Sequence, residues 1–475
     1  MRNPKPFRVA IIGGGVAGSI CALRLVEAGL SVSLFEQGPE LVNGPPICHL
    51  HAGGSLYREL SDAQCITLLE QSITTARSFP QALRARPTLI AVPKRDPGRV
   101  EDIIPRLDGL VAHYRHLIEC CPANQVLGKP EHYYQLFSRS EAEQLARQSV
   151  PREAKQAQDW LINAVQRLDL DKLKFPLVLV QEYGVSLFRV AACIEQAVRQ
   201  LTQFDVHLNS AIEQIEPTSA GFCLHYRQLQ QRQHMEVDYL INAAGYRSGD
   251  IDDLLGIHKQ RLVEFKAAYL ARWAHFSGPW PEIVIHGQRG TKNGMAQLTP
   301  YGQGVFQLHG MAPGITLFEQ GVARSNAQSA QPQLPTNLAP LAQGCWPEPL
   351  AAERTQAAIA HLAEFLPEFA KATWLAKPMS GAQQIPGEDL NQRVSGASFV
   401  GERYARSEIV KFSSALAAAD DILSALSQFT KCSMAHLGQP LTIPASYSSE
   451  QINPLARIIV SRRHYPEALA AQILA

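Results

Sequence analysis

The stretch VAIIGGGVAGSICALRLVEAGLSVSLFEQG, Val9 to Gly38, permits few folds. An apolar run, Val9 to Ile12, leads into Gly13, Gly15 and Gly18; a helix-like segment, Ser19 to Ala28, follows, and a second β-rich run, Ser31 to Phe35, ends in Glu36. A lone G-x-G-x-x-G is a weak signal, but in strand–turn–helix–strand order it is the turn that seats a pyrophosphate on a helix N-terminus. Gly13 permits the tight turn, Gly15 lets the backbone approach the phosphates, and Gly18 lets the helix pack close on the strand. Val16 and Ala17 complete the turn. Glu36, about 20 residues on, is placed to accept from ribose hydroxyls, with Gln37 beside it, and its charge disfavours a 2′-phosphate and hence NADP. A ligand-free glycine turn is the plain alternative, and the presence of every part in order argues against it.

The chain has 475 residues, 46% of them apolar, which is too much for one ordinary core. Lys and Arg number 44 against 43 Asp and Glu, so no polyelectrolyte face is expected and nucleic acid is not an obvious partner. The nine cysteines include no C-x-x-C, which predicts no metal site and fits a reducing compartment. MRNPKPF has no signal-peptide core, and no apolar run reaches about 18 residues, so a cytoplasmic protein is expected.

Further along, residues 61–79, 99–118 and 152–167 read as helices and Thr88–Val92 as a strand. Ser138 with Glu141 forms a capping-box pattern. Phe188 to Leu201 has helical spacing, with Val190, Cys193, Ile194 and Ala197 on one face. Met295–Thr299 and Val305–His309, joined by PYGQG, predict a hairpin, and residues 350–371 a helix. The α/β signals fall in three separated stretches, 7–38, 177–250 and 398–425. A nucleotide domain interrupted in this way points to FAD in an extended pose rather than NAD. No second glycine fingerprint and no redox cysteine pair is visible, so the electrons are expected from a substrate and not from NAD(P)H.

Several segments together resemble the D-amino-acid oxidase superfamily of FAD oxidoreductases, which includes sarcosine- and dimethylglycine-oxidising, glycerol-3-phosphate, L-2-hydroxyglutarate and malate:quinone enzymes. Beyond the first turn these are HLHAGGSLY, EYGVSLFRVAACIEQA, INAAGYRSGDI, AQLTPYGQGVFQLHG and ASFVGERYARSEIVKFSSALAAADDI. The resemblance implies an α/β fold: a Rossmann-type FAD-binding domain of the glutathione-reductase kind, interrupted by a β-rich substrate domain with added helices. The expected division is 1–60, 177–255 and 385–427 for FAD, 61–176 and 256–384 for substrate, and 428–475 as an extension.

The resemblance also implies that His51, Ala52 and Gly53 lie near the flavin, that Ala244 and Gly245 lie near the adenine half, and that Lys411 and Ser413 open a flavin-contacting helix. His51 is a candidate base or covalent flavin ligand, with His49 beside it, and His309 a candidate facing the flavin from the hairpin. The family's substrates carry a carboxylate, for which Arg289, Arg403 and Arg406 are candidate clamps, with Tyr404 in the same pocket. Arg403, Arg406 and Lys411 stand where the family usually has a small, glycine-rich loop. The catalytic set expected is therefore His51, His309 and Arg403.

The function implied is oxidation of a small 2-hydroxy acid or amino acid by hydride transfer to flavin N5, with oxygen or a quinone as acceptor. A flavin monooxygenase or halogenase acting on a larger substrate, and a non-enzymatic FAD-fold binding protein, are the alternatives. Residues 453–475 combine Leu455, Ile458, Ile459 and Leu469 with Arg457, Arg462 and Arg463. Such a segment either docks on an anionic membrane or packs on its own domain; Pro454 and Pro466 limit it to a short helix, and packing is expected.

Overall fold

A computed structural model describes residues 7–45, 50, 60–274 and 277–472. Among these, six strands form a sheet in the order 397–400, 404–407, 239–242, 8–12, 31–35, 204–207. All neighbours are parallel except the edge pair, 397–400 against 404–407. The central strands are buried on both faces, as their continuous apolar runs require. Helix Val16–Glu27 leaves the strand Arg8–Ile12, and helix Ala415–Leu426 follows the strand Tyr404–Ser407. Because those two strands are parallel, both helices begin at the carboxyl edge of the sheet. They pack side by side, and the fully buried Arg24 locks them by pairing with Asp420 at 2.7 Å.

A second, larger sheet runs in the order 322–324, 261–272, 305–310, 296–302, 282–285, 88–93, 173–180, 134–137, with 373–386 also on 261–272. One face of it, with Leu89, Leu179, Tyr269, Ile283, Leu298, Phe306 and Leu308, packs beneath helices Ala157–Val165 and Glu348–Ala363. The opposite face turns toward the parallel sheet. Strand Leu173–Val180 lies between 88–93 and 134–137 in this sheet. The expected division put residues 177–180 with the nucleotide domain. Their apolar run is compatible with any buried strand, and only the long-range pairing decides the partner. The 14-residue strand Thr373–Pro386 has no counterpart in the sequence reading. A smaller antiparallel sheet, 231–237, 222–228 and 210–217, covers Phe35 and Ile12 with Ile215, Leu224 and Tyr226.

The tail forms helix Ser449–Arg462, opened by a Ser448–Gln451 capping box. Pro454 sits inside this helix, at its sixth residue, rather than limiting it; lacking an N–H, it gives up the bond that this position would donate to the Glu450 carbonyl. Ile452, Leu455, Ile459 and Val460 are buried against the chain's own core. No helix among the described residues is long and apolar enough to cross a membrane.

Candidate flavin and substrate site

The first glycine turn has the geometry its residue types demand. Gly13 has φ 104°, and a Cβ there would lie 2.4 Å from the Ala243 carbonyl oxygen. A Cβ on Gly18 would fall 1.9 Å from the Gly13 carbonyl oxygen, so helix and turn touch with no room for a side chain. Gly15 differs: a Cβ there would meet nothing within 4 Å. Gly15 is also the N-cap of helix Val16–Glu27 and no side chain caps it, which leaves the first helical amides, Val16, Ala17 and Gly18, facing that open space. Glu36, 6% exposed, accepts the amides of Gly14 and Gly38, each at 2.7 Å. Gln37 accepts from Arg247 at 3.1 Å.

On the neighbouring strand the Ala243 amide donates to the Ile12 carbonyl at 2.8 Å. Asn242 donates to the Ser248 carbonyl and the Tyr404 hydroxyl, each at 2.8 Å, and accepts the Ala244 amide. Gly245 has φ 61° and opens a short helical turn. Gly13 to Gly18, Glu36, Gln37, Ala244 and Gly245 thus converge at the carboxyl edge of the parallel sheet. That is where open α/β sheets bind ligands. A clear glycine, an uncapped helix N-terminus and a buried acid at the strand end fit the diphosphate and ribose of FAD. His49, His51, Ala52 and Gly53 lie outside the described residues.

The second helix start lies at the same edge. Lys411 precedes the helical turn Phe412–Ser414, which no side chain caps. Ser414 donates to Gln71 at 2.8 Å, whereas the buried Ser413 hydroxyl oxygen has no hydrogen-bond partner among the described residues. The loop before it is tied to the large sheet by Gln383, which donates to the Val410 carbonyl at 2.7 Å.

Gln383 belongs to a polar and charged group of which the sequence reading named only Arg289. Lys266 donates to Gln383 at 3.1 Å and pairs with Glu264 at 2.6 Å, and Glu264 also pairs with Arg289. Burial pushes the Lys266 ammonium down to about 8; Glu264 opposes this, while Arg393 and Arg289 add to it. Arg289 Nη1 is buried with no hydrogen-bond partner among the described residues. The signal was available in LVEFKAAYL: Glu264 and Lys266, two apart in an apolar strand, must share one face. His309 shares it too. Leu308 pairs with Tyr269 on the core face, so His309 points the other way, as does Lys266.

The other arginines go elsewhere. Arg406 is buried against Asp252 at 2.8 Å, within a network that includes Arg261, Glu408 and the Tyr404 hydroxyl. This is an internal ion network: it uses the Tyr404 hydroxyl and Arg406 Nε, while Arg406 Nη2 is buried with no hydrogen-bond partner among the described residues. Arg403 lies at the amino end of its strand, donates to the Asp238 carbonyl at 3.1 Å and covers the Phe429 ring. It sits at the edge of the parallel sheet opposite the glycine turn, so the structure does not bring it to His309. A position read only from its neighbours in sequence cannot tell the two ends of a short strand apart.

The family model for FAD dependent oxidoreductases matches residues 8–386. A methylenetetrahydrofolate–tRNA-(uracil-5-)-methyltransferase from Lawsonia intracellularis is 43% identical over 75 residues, 15% of this chain and 16% of that protein, so the chain spans under a fifth of this curated relative. Glycine oxidase from Geobacillus kaustophilus shares the fold at TM-score 0.57 and 14% identity, over 92% of this chain and 99% of that one. The FAD-bound L-alpha-glycerophosphate oxidase from Mycoplasma pneumoniae does so at TM-score 0.58 and 12% identity, over 92% and 98%.

Proposed function

Because this chain belongs to the family of FAD-dependent oxidoreductases, we propose that it oxidises a small anionic substrate, a 2-hydroxy acid or amino acid, at the sheet face carrying Lys266 and Arg289. FAD supplies the hydride-accepting chemistry when bound at the glycine turn. The chain's own task is to hold the substrate's anionic group, orient its C–H bond and take a proton. The observation that carries the reading is the buried Arg289 Nη1, which has no hydrogen-bond partner among the described residues, beside a lysine lowered to about 8. A guanidinium with a free donor suits a carboxylate. A lysine partly neutral near physiological pH suits proton removal from a substrate hydroxyl or ammonium at Nζ. His309 lies on the same face and is kept as a second candidate, whereas Arg403 is not part of this proposal. His51 remains a proposed flavin neighbour on the resemblance alone. The neighbours' named substrates, glycine and glycerophosphate, both pair an anionic group with an oxidisable C–H beside nitrogen or oxygen, which supports the class without selecting a member.

The deciding experiment is the visible spectrum of the purified holoprotein on anaerobic addition of 2-hydroxy acids, amino acids and glycerol phosphates. Bleaching by a member of this panel, followed by reoxidation on admitting oxygen or a quinone analogue, is expected. Bleaching by NAD(P)H alone would replace this reading with a monooxygenase.

A further inference from the structure

We propose that Glu216, Cys223 and His225 form a binding site for a divalent, zinc-class ion on the outer face of the small antiparallel sheet. The three side chains project from adjacent strands: Cys223 is directly opposite Glu216, and His225 lies two residues along on the same face. Their ligand atoms lie within 4.8 Å of one another. The Cys223 sulfur is 3.7 Å from His225 Nε2, and His225 Nε2 is 3.4 Å from a Glu216 oxygen. Zinc bonds of about 2.3 Å to sulfur and about 2.0–2.1 Å to nitrogen and oxygen, at tetrahedral angles, place S and N about 3.6 Å apart and N and O about 3.4 Å apart. The separations in the protein match both values.

The surroundings favour a cation. Glu236 faces Cys223 from the other flanking strand, and His234 faces His225, with ring centroids 6.2 Å apart. Burial, Glu216 and Glu236 all raise the Cys223 thiol. A bound dication reverses that balance: the thiol loses its proton to solvent, the thiolate becomes a ligand, and no oxidant or reductant is involved. Three protein ligands leave a fourth position for water, or for His234 after a rotamer change. The inner face of the same sheet packs under Phe35 and Ile12, next to the glycine turn, so the ion would staple strands 210–217 and 222–228 of the sheet that covers the nucleotide side of the fold.

The test uses full-length, FAD-loaded protein stripped with a chelator, desalted, and titrated with Zn²⁺ against a chromophoric competitor. Cd²⁺ serves in parallel, because its thiolate charge-transfer band lies in the ultraviolet, clear of the visible flavin bands. One ion per chain is expected, with a Cd²⁺–thiolate band. Cys223→Ser and His225→Gln should each weaken affinity at least tenfold, with flavin absorbance retained as the check on folding. Cys120→Ser, which removes the separate Cys120–His116 pair 3.6 Å apart on a distant helix, should change nothing. The proposal is overturned if the wild-type protein holds no more ion than the Cys223→Ser/His225→Gln double variant. It is equally overturned if binding follows Cys120 instead.

Discussion

The Gly14 amide donates to Glu36 Oε2 at 2.7 Å, so the acid at the end of the second strand also holds the glycine turn in place. The other carboxylate oxygen takes Gly38 at 2.7 Å. Each oxygen keeps a lone pair for a ribose hydroxyl. Glu36→Ala therefore removes ligand contacts and turn bonds together. Its expected cost in FAD affinity is about 1.5–3 kcal/mol, the range for hydrogen bonds to a charged group, or roughly tenfold to more than a hundredfold. Glu36→Gln, which keeps one acceptor, should fall between Ala and the wild type. Titration of apoprotein with FAD, followed by flavin fluorescence, measures all three, and equal affinities would show that the ribose is held elsewhere.

Two glycines three residues apart should separate folding from cofactor binding. Gly15→Val adds a side chain where the protein itself has space, so the apoprotein should melt within about 1 kcal/mol of the wild type while FAD retention is lost. Gly18→Val drives a side chain into the Gly13 carbonyl and should destabilise the apoprotein as well. Calorimetry of both apoproteins checks this. A Gly15 variant that still purified yellow would place the diphosphate away from this turn.

The first turn was legible in the sequence because three glycines, a helix and a terminal acid are local features with one common cause. The Ser138–Glu141 capping box and the helix Leu187–Gln200 were legible for the same reason. Thr373–Pro386 was not, because Pro378 and Gly381 break the strand signature; Gly381 is needed where Pro45 presses against the backbone. Arg289, Lys266 and Gln383 come from different strands and loops, so their meeting is a property of sheet pairing that no window of sequence contains. Arg403 and Arg406 are two positions of opposite fate three residues apart, and strand direction alone separates them.

The tail should not bind membranes in the folded protein. Leu455 and Ile459 are buried, Arg457 pairs with Glu467 at 2.8 Å, and Arg463 donates to Glu40, to the Leu41 carbonyl and to the Val42 carbonyl at 2.7–2.9 Å. Val42 in turn donates to the Gly14 carbonyl at 2.8 Å. Sedimentation with anionic vesicles at low salt should leave the protein in the supernatant. Arg463→Ala should loosen the 40–42 segment and lower FAD affinity severalfold, without creating vesicle binding. Salt-sensitive sedimentation that disappears on deleting residues 453–475 would mean that the helix leaves its seat to dock.

Lys266 supplies a pH dependence whose sign can be worked out. Its folded pKa is lowered from 10.5 to about 8, so between those values the unfolded chain holds a proton that the folded chain has lost, and stability should rise with pH across that window. Below pH 8 the cost of the buried charge is fully present, and Lys266→Met should raise the melting temperature at pH 7 by removing it. Activity should move in the opposite sense on mutation. With Lys266 as base, the rate of anaerobic flavin reduction should climb with pH through about 8 and then level. Lys266→Met should lose that limb and run about a hundredfold or more slower. Arg289→Ala provides the second lever. Arg289 lowers the lysine and also shares Glu264 with it, so deleting the guanidinium removes a repelling cation and frees the carboxylate for Lys266. Both effects raise the lysine, and the limb should shift to higher pH while the substrate concentration for half-maximal reduction increases. Stopped-flow reduction across pH, in both variants, reads the two effects separately. A limb that stays in place in Arg289→Ala would disconnect the arginine from the base, and one that survives in Lys266→Met would assign the proton to another group, His309 first among them.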